Sequence, residues 1–112
     1  FTIRLLRQGL RDKSANVRKK AADWAGRLRI RDVVPELEAA FAIEKNAKAR
    51  QTIEFNLRLL RDGYIIKEDE NGGAFVTAFT PNGVGGRFFQ RAEIEHRGIE
   101  AIVAEFASHP LG

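Results

Sequence analysis

The sequence contains no cysteine and no methionine, only three prolines, one tryptophan (Trp24) and one tyrosine (Tyr64), and no apolar run longer than a few residues. Without cysteine there is no disulfide framework, no thiol nucleophile and no thiolate-bound zinc or iron–sulfur site. A reducing cytoplasm suits such a composition, and a cytoplasmic location is expected. The short apolar runs argue against a membrane-spanning helix, and no basic stretch leads into an apolar one at the start, so neither a membrane association nor a signal peptide is expected. A chain that begins at Phe1 and lacks methionine reads as a piece of a longer product. What is present is 112 residues, 44% hydrophobic and 30% charged. That suffices for one ordinary domain with a core that needs no metal or cross-link.

Charge is unevenly spread. Residues 1–63 carry 15 Lys or Arg against 8 Asp or Glu, a net of +7, whereas residues 64–112 carry 4 against 7, a net of −3. Eight of the ten glycines lie at or beyond Gly63, and the earlier part is rich in Ala, Leu and Arg. Both shifts place an internal boundary near Asp62 and Gly63, between a helical part and a glycine-rich one.

Helical spacing runs through the first part. Ile3, Leu6 and Leu10 predict a short helix. Val17, Ala21, Trp24, Ala25 and Leu28 predict a second over residues 15–28, with Ser14 as its N-cap. Pro35 suits the first turn of a third, whose stripe Leu37, Ala40, Phe41 and Glu44 runs to Asn46. Ala49, Ile53, Leu57 and Leu60 predict a fourth over residues 47–61, ended by Gly63. A shift of 32 residues superposes the second and fourth helices: Val17 on Ala49, Arg18 on Arg50, Ala21 on Ile53, Trp24 on Asn56, Ala25 on Leu57 and Leu28 on Leu60. That period falls in the range of two-helix solenoid repeats.

The stretch SANVRKKAADWAGRLRIRDVVPELEAAF carries a Val-Arg start, an Ala-Ala pair, a Leu-rich end and a Val-Pro-x-Leu helix. It resembles the HEAT-repeat family, in particular its short bacterial HEAT-like repeats, and residues 47–61 resemble the family more weakly because the Ala-Ala pair is missing. The resemblance covers about residues 3–62. It implies an α-solenoid of helix pairs that serves as a surface for partners. It also implies that Arg18 and Arg50 pair with acidic turn residues between neighbouring units, and the same shift relates Asp12 to Glu44. Trp24 is then expected to be buried, the helices near 15–29 and 47–61 to lie side by side, and the helix near 34–45 to pack against both.

The second part differs. Residues 64–68 and 74–80 read as strands of a hairpin joined by Asp69-Glu70-Asn71-Gly72-Gly73. Residues 81–86 read as a turn-rich connector. A last helix is expected from about Arg91 to Ala107, with Ile94, Ile99, Ile102, Val103 and Phe106 on its apolar face, Gly98 as its weak point and Pro110 beyond its end. On the solvent side of the second helix fall Lys19, Asp23, Gly26 and Ile30. The positions of the fourth helix that match Asp23 and Arg27 are Phe55 and Leu59, two large apolar groups that need cover. Residues 64–107 are therefore expected to fold back as a cap over them. The fold class is mainly α: HEAT-like helix pairs over 1–63, then a β-hairpin and helix over 64–112 as an α+β cap, together one compact unit.

Catalytic chemistry finds little support. Glu93, His96 and Glu100 share a face of the expected last helix, but a single Glu-x-x-His copy falls short of a carboxylate metal site. His109 sits in a terminal SHPLG segment. Residues 82–87, NGVGGR, lack the Gly-Lys-Ser/Thr ending of a phosphate loop and the spacing of a dinucleotide turn. No catalytic residue, metal site or cofactor is assigned, and an enzymatic role is not expected. The pigment-attaching and alkylated-base activities of some HEAT-like proteins find no acid, nucleophile or aromatic cage here.

The basic residues matter more. Lys19, Arg27, Arg29, Arg58 and Arg61 are the candidate partner-binding residues, with Lys20, Arg31 and Lys48 adding to the same field. The expected function is a non-catalytic scaffold for a protein partner of acidic character. The alternative is nucleic-acid binding, either through this surface or through a winged-helix arrangement suggested by LLRDGYIIKEDENGGAFVTAFTPNG. In the latter, Arg50, Gln51, Glu54 and Arg58 would face the major groove. The acidic KEDEN and the 32-residue shift both speak against it.

Overall fold

Backbone accounting explains where the helices start and stop. The structure is a computed structural model that describes residues 3–108. Its elements are α1 (Ile3–Leu10), α2 (Ala15–Arg27), a 3-10 turn (Arg31–Val33), α3 (Val34–Ile43), α4 (Ala47–Asp62), β1 (Tyr64–Glu68), β2 (Ala74–Thr80), β3 (Gly83–Phe89), α5 (Arg91–Arg97) and α6 (Ile99–Ser108). Pro35 occupies the first turn of α3, where its missing N–H removes no bond. Asn46 caps α4: its Oδ1 accepts the Ala49 N–H at 3.0 Å. Ser14 precedes α2 in extended backbone but makes no side-chain cap, and the expected capping bond is replaced by the Asp12 Oδ1, which accepts the Ser14 N–H at 2.9 Å. His109 and Pro110 lie outside the described residues.

The chain divides into two compact units, residues 1–62 and 63–112. In the first, every element among the described residues is a helix. In it α2 packs against α1 and α4, and α3 packs chiefly against α4 rather than on both long helices. Leu6, Leu10, Leu37, Ile53, Leu57 and Leu60 are buried as expected. The buried stripe of α2 is different: Ala21, Ala22, Ala25 and Gly26 lie inside, while Val17, Trp24 and Leu28 are 39%, 36% and 43% exposed. The expectation of a buried Trp24 is thus corrected. A close helix contact selects small residues, and Gly26 shows why: a Cβ there would lie 1.9 Å from Asn56 Oδ1. Asn56 is itself buried and donates to Oδ1 of the exposed Asp23 at 3.0 Å and to the Thr52 carbonyl at 2.9 Å, so a polar pair bridges α2 and α4.

The second unit is a three-stranded antiparallel sheet, order β1-β2-β3, with α6 against β2. The hairpin of β1 and β2 has the expected bounds, with Tyr64 opposite Ala78 and Glu68 opposite Ala74. Asp69 organises its turn: Oδ1 accepts the N–H groups of Asn71 and Gly73 at 2.9 Å each. Of the expected connector over 81–86, Pro81 and Asn82 form a turn, whereas residues 83–86 are the start of β3, in register with β2 from Thr80–Gly83 to Ala74–Phe89. Gly86 and Gly73 make room there for aromatic cover. The Phe75 ring lies over Gly86 and the Phe88 ring over Gly73, each 2.5–2.6 Å from where a Cβ would stand. On the opposite face Val76, Ala78 and Phe89 meet Ile102 and Phe106, with the two phenylalanine rings edge to face at 6.1 Å.

The expected last helix is two. Gly98 has φ +80° and ψ 150°, a conformation open essentially to glycine, and its N–H closes α5 on the Ile94 carbonyl at 2.8 Å. This break lets Ile94 and Ile99 both reach the core around Ile102. Open space surrounds Gly98, so the backbone alone decides a substitution there. Gly98→Ala is expected to lower the stability of this unit by about 1 kcal/mol, read as a urea midpoint shift at unchanged slope.

Candidate interaction surface

Helical geometry distributes the five candidate cations before any partner is considered. Lys19, Asp23 and Arg27 follow one another at four-residue steps on α2, which places them on one face. Lys19 is half-buried and Arg27 exposed, its guanidinium 5.2 Å from the centre of the Trp24 ring. Arg29 is exposed just past α2, with φ +55°. The N–H groups of Leu28, Arg29 and Ile30 bond back to the carbonyls of Trp24, Gly26 and Ala25, which closes the last turn and swings the Arg29 side chain off the helix line. Arg58 and Arg61 lie exposed on successive turns of α4. Arg61 shares its charge with Asp62, Nε to Oδ1 at 3.2 Å, and this bond holds its pKa above the usual arginine value. By element the five fall as Lys19 and Arg27 on α2, Arg58 and Arg61 on α4, and Arg29 just past the end of α2.

Sequence reasoning missed the apolar part of this surface. Val17, Trp24 and Leu28 form an exposed stripe, with Lys20 and Arg27 on its edge by helical spacing. The signal was available in the 32-residue shift, which puts polar Asn56 opposite Trp24. A position that is tryptophan in one copy and asparagine in the other need not play the same part in both. Of the two residues expected to need cover, Leu59 is 1% exposed and Phe55 remains 41% exposed. Phe55 shares its face of α4 with the exposed Gln51, Glu54 and Arg58.

The most organised charge is Arg18. Its Nε and Nη2 grip Glu44 Oε1 and Oε2 at 2.6 and 2.8 Å, and its Nη1 donates to the carbonyls of Asp12 and Lys13 at 2.8 and 3.0 Å. Glu44 is buried, and its Oε2 also accepts the Asn46 N–H at 3.1 Å. The hydrogen bonds from Arg18 hold the Glu44 carboxyl below the usual carboxylate pKa against the opposing effect of burial, and raise that of Arg18. The pair therefore fastens the α1–α2 turn to the α3–α4 turn. It also lines a concavity of about 600 Å³ together with Leu10, Arg11, Ala40, Ile43 and Lys45. Glu36 lines the same space, its Oε1 2.6 Å from Arg7 Nε and its buried Oε2 without a partner among the described residues. Arg50, the counterpart of Arg18, lies instead over the Phe41 ring at 4.2 Å.

The remaining candidates separate. The break at Gly98 leaves Glu93 and His96 on α5 and Glu100 on α6, so the expected single face does not exist. Glu93 is engaged by Arg97 at 3.1 Å and Arg87 at 3.5 Å. Arg97 also pairs with Glu105. Residues 83–87 are strand and present no loop to a phosphate. Among the described residues no group of three or more His, Asp or Glu could hold a metal ion, and no helix is long and apolar enough to cross a membrane. Comparison with family models, with curated proteins and with solved structures finds no match.

Proposed function

We propose that this chain is a non-catalytic protein-interaction module of HEAT-repeat type, and that an acidic partner binds its basic helical surface. The observation that carries the reading is the exposed stripe of Val17, Trp24 and Leu28 edged by Lys20 and Arg27. A large aromatic with a guanidinium over its face, among aliphatic neighbours, is the composition of an interface anchor. The net +7 of residues 1–63 steers acidic surfaces towards it. The Arg18–Glu44 bond supports the HEAT-like part of the proposal, because it links the turns related by the 32-residue shift in the manner the resemblance implies.

The test separates protein from nucleic acid. Duplex and single-stranded DNA of about 25 nucleotides are titrated against the chain across a salt series, beside capture of proteins from the source cell on immobilised wild type and on an R27E/R29E variant. Weak DNA binding that fades before physiological salt, with a captured protein lost from the variant, is the expected result. Submicromolar DNA binding that persists at physiological salt and collapses in R58E/R61E would replace this proposal with a nucleic-acid module. The exposed Arg50, Gln51, Glu54 and Arg58 on α4 are the residues such a module would use.

A further inference from the structure

The contact between α2 and α4 can be written as a rule about repeat positions. Position 56 sits over position 26 and hydrogen-bonds position 23: Asn56 lies against Gly26 and donates to Asp23. Ala49, Ile53 and Leu60 are buried on the same stripe of α4. Moved back by 32 residues, that stripe is Val17, Ala21, Trp24 and Leu28 of α2, and all but Ala21 are exposed. Moved forward by 32, the receiving positions Ala22, Asp23 and Gly26 become Glu54, Phe55 and Arg58 of α4, all exposed. Each flank of the α2–α4 layer thus carries the half of the contact that the other flank lacks.

The chemistry of the two halves also matches. Applying the same rule between two copies puts Trp24 of one against Phe55 and Arg58 of the next. The half-buried Asp23–Asn56 hydrogen bond and the bare Gly26 are replaced by an aromatic pair and a cation over an indole ring, both attractive contacts. The ion pair repeats too. Asp12 and Glu44 each accept the N–H two residues ahead, from Ser14 and from Asn46. Glu44 is gripped by Arg18, whereas the Asp12 carboxylate acts on Arg18 only through space and makes no close salt bridge among the described residues, and neither does Arg50, the counterpart of Arg18.

We propose that copies of this chain stack head to tail, α4 of one copy resting on the outer flank of α2 of the next, with Phe55 and Arg58 against Trp24, Val17 and Leu28 and Arg50 on Asp12. The contact joins unlike surfaces and repeats the step from α2 to α4, so it does not close on itself and grows open-ended assemblies. Apolar anchors stabilise it, while the like net charge of the helical units opposes it, so screening by salt favours assembly. That salt dependence is opposite in sign to the docking of an acidic partner, and the proposal does not rest on one.

Sedimentation velocity of the whole chain from about 1 to 500 μM tests it, repeated from about 50 to 500 mM NaCl. The expected result is a mass that rises continuously with concentration and with salt. Phe55→Glu removes one half and Leu28→Glu the other, both at exposed positions. Each variant alone is expected to lose at least about tenfold in association constant. An equimolar mixture of the two is expected to form a heterodimer and nothing larger, because one intact half remains on each. Circular dichroism establishes that both variants fold. Should either fail to, Asp12→Arg, and its rescue by adding Arg50→Glu to the same chain, supplies the second test. A chain that stays monomeric throughout, a closed dimer that neither substitution weakens, a mixture that remains monomeric, or an assembly that dissolves as salt rises would each overturn the proposal.

Discussion

Arg18→Met is expected to produce the largest loss of stability of any single substitution outside the apolar core, with a drop in Tm on the order of 10 °C. Methionine keeps much of the stem but removes every donor. The Glu44 carboxylate would then remain buried with only backbone N–H groups, those of Asn46 and Lys45, to offset its charge among the described residues, and the Asp12 and Lys13 carbonyls would lose their donor. Breaking one side of such a pair costs far more than the pair itself contributes, because the surviving charge stays out of water. The pH dependence identifies the cause. In the wild type the lowered pKa of Glu44 contributes stability that is present above the ordinary carboxylate range and is lost as pH falls through the folded value. In the variant, burial without Arg18 raises that pKa, and protonation relieves the strain. The gap between the two proteins should therefore be widest at pH values above the raised carboxyl pKa of the variant, and narrow as pH falls from there through the ordinary carboxylate range to the lowered pKa of the wild type. Urea titrations across that range measure it. A gap constant with pH would assign the loss to packing instead.

Gly26→Leu is the second large effect, expected to cost about 3 kcal/mol in chemical denaturation. An exposed helix interior would gain from losing a glycine, by about 1 kcal/mol for alanine. Here even a Cβ meets Asn56 Oδ1 at 1.9 Å and Cγ at 2.9 Å, and Asn56 can yield only by releasing Asp23 and the Thr52 carbonyl. A buried amide that has lost its partners adds a desolvation cost to the overlap. The smaller change Gly26→Ala is expected to destabilise in the wild type and to be neutral or stabilising in an Asn56→Ala background, where the intrinsic helix preference returns. The double-mutant cycle isolates the contact, since the two side chains meet nowhere else.

These two positions also mark how far the fold was legible in the sequence. Pro35, Gly63 and the Asn-Gly-Gly turn announced element boundaries because each acts locally, through its own backbone, and those boundaries agree with the structure to within a few residues. The inner stripe of α2 was misjudged because large apolar residues invite burial, whereas the closest approach of two helices selects Ala22, Ala25 and Gly26. Strand β3 was hidden for a related reason: GVGGRFF has poor local strand character, and its pairing depends on Phe75 covering Gly86 from the neighbouring strand. For the surface, the identity of the basic residues was readable but their company was not. Arg61 leans on Asp62, Arg27 on Trp24, and Arg50 on Phe41, contacts that a charge count does not contain.

The rings over Gly73 and Gly86 set the alignment of the second unit. Phe75 and Phe88 face each other across β2 and β3; Phe75 overhangs Gly86 of β3, and Phe88 overhangs Gly73, the residue before β2. Sliding β3 by two residues would keep every side chain on its proper face, so hydrophobic alternation alone does not forbid it. It would, however, bring Phe75 over Val84 or Phe88 in place of Gly86, where side chains fill the space the ring needs. The two glycines thus behave as keyholes cut for two keys, and the sheet has one alignment in which both turn.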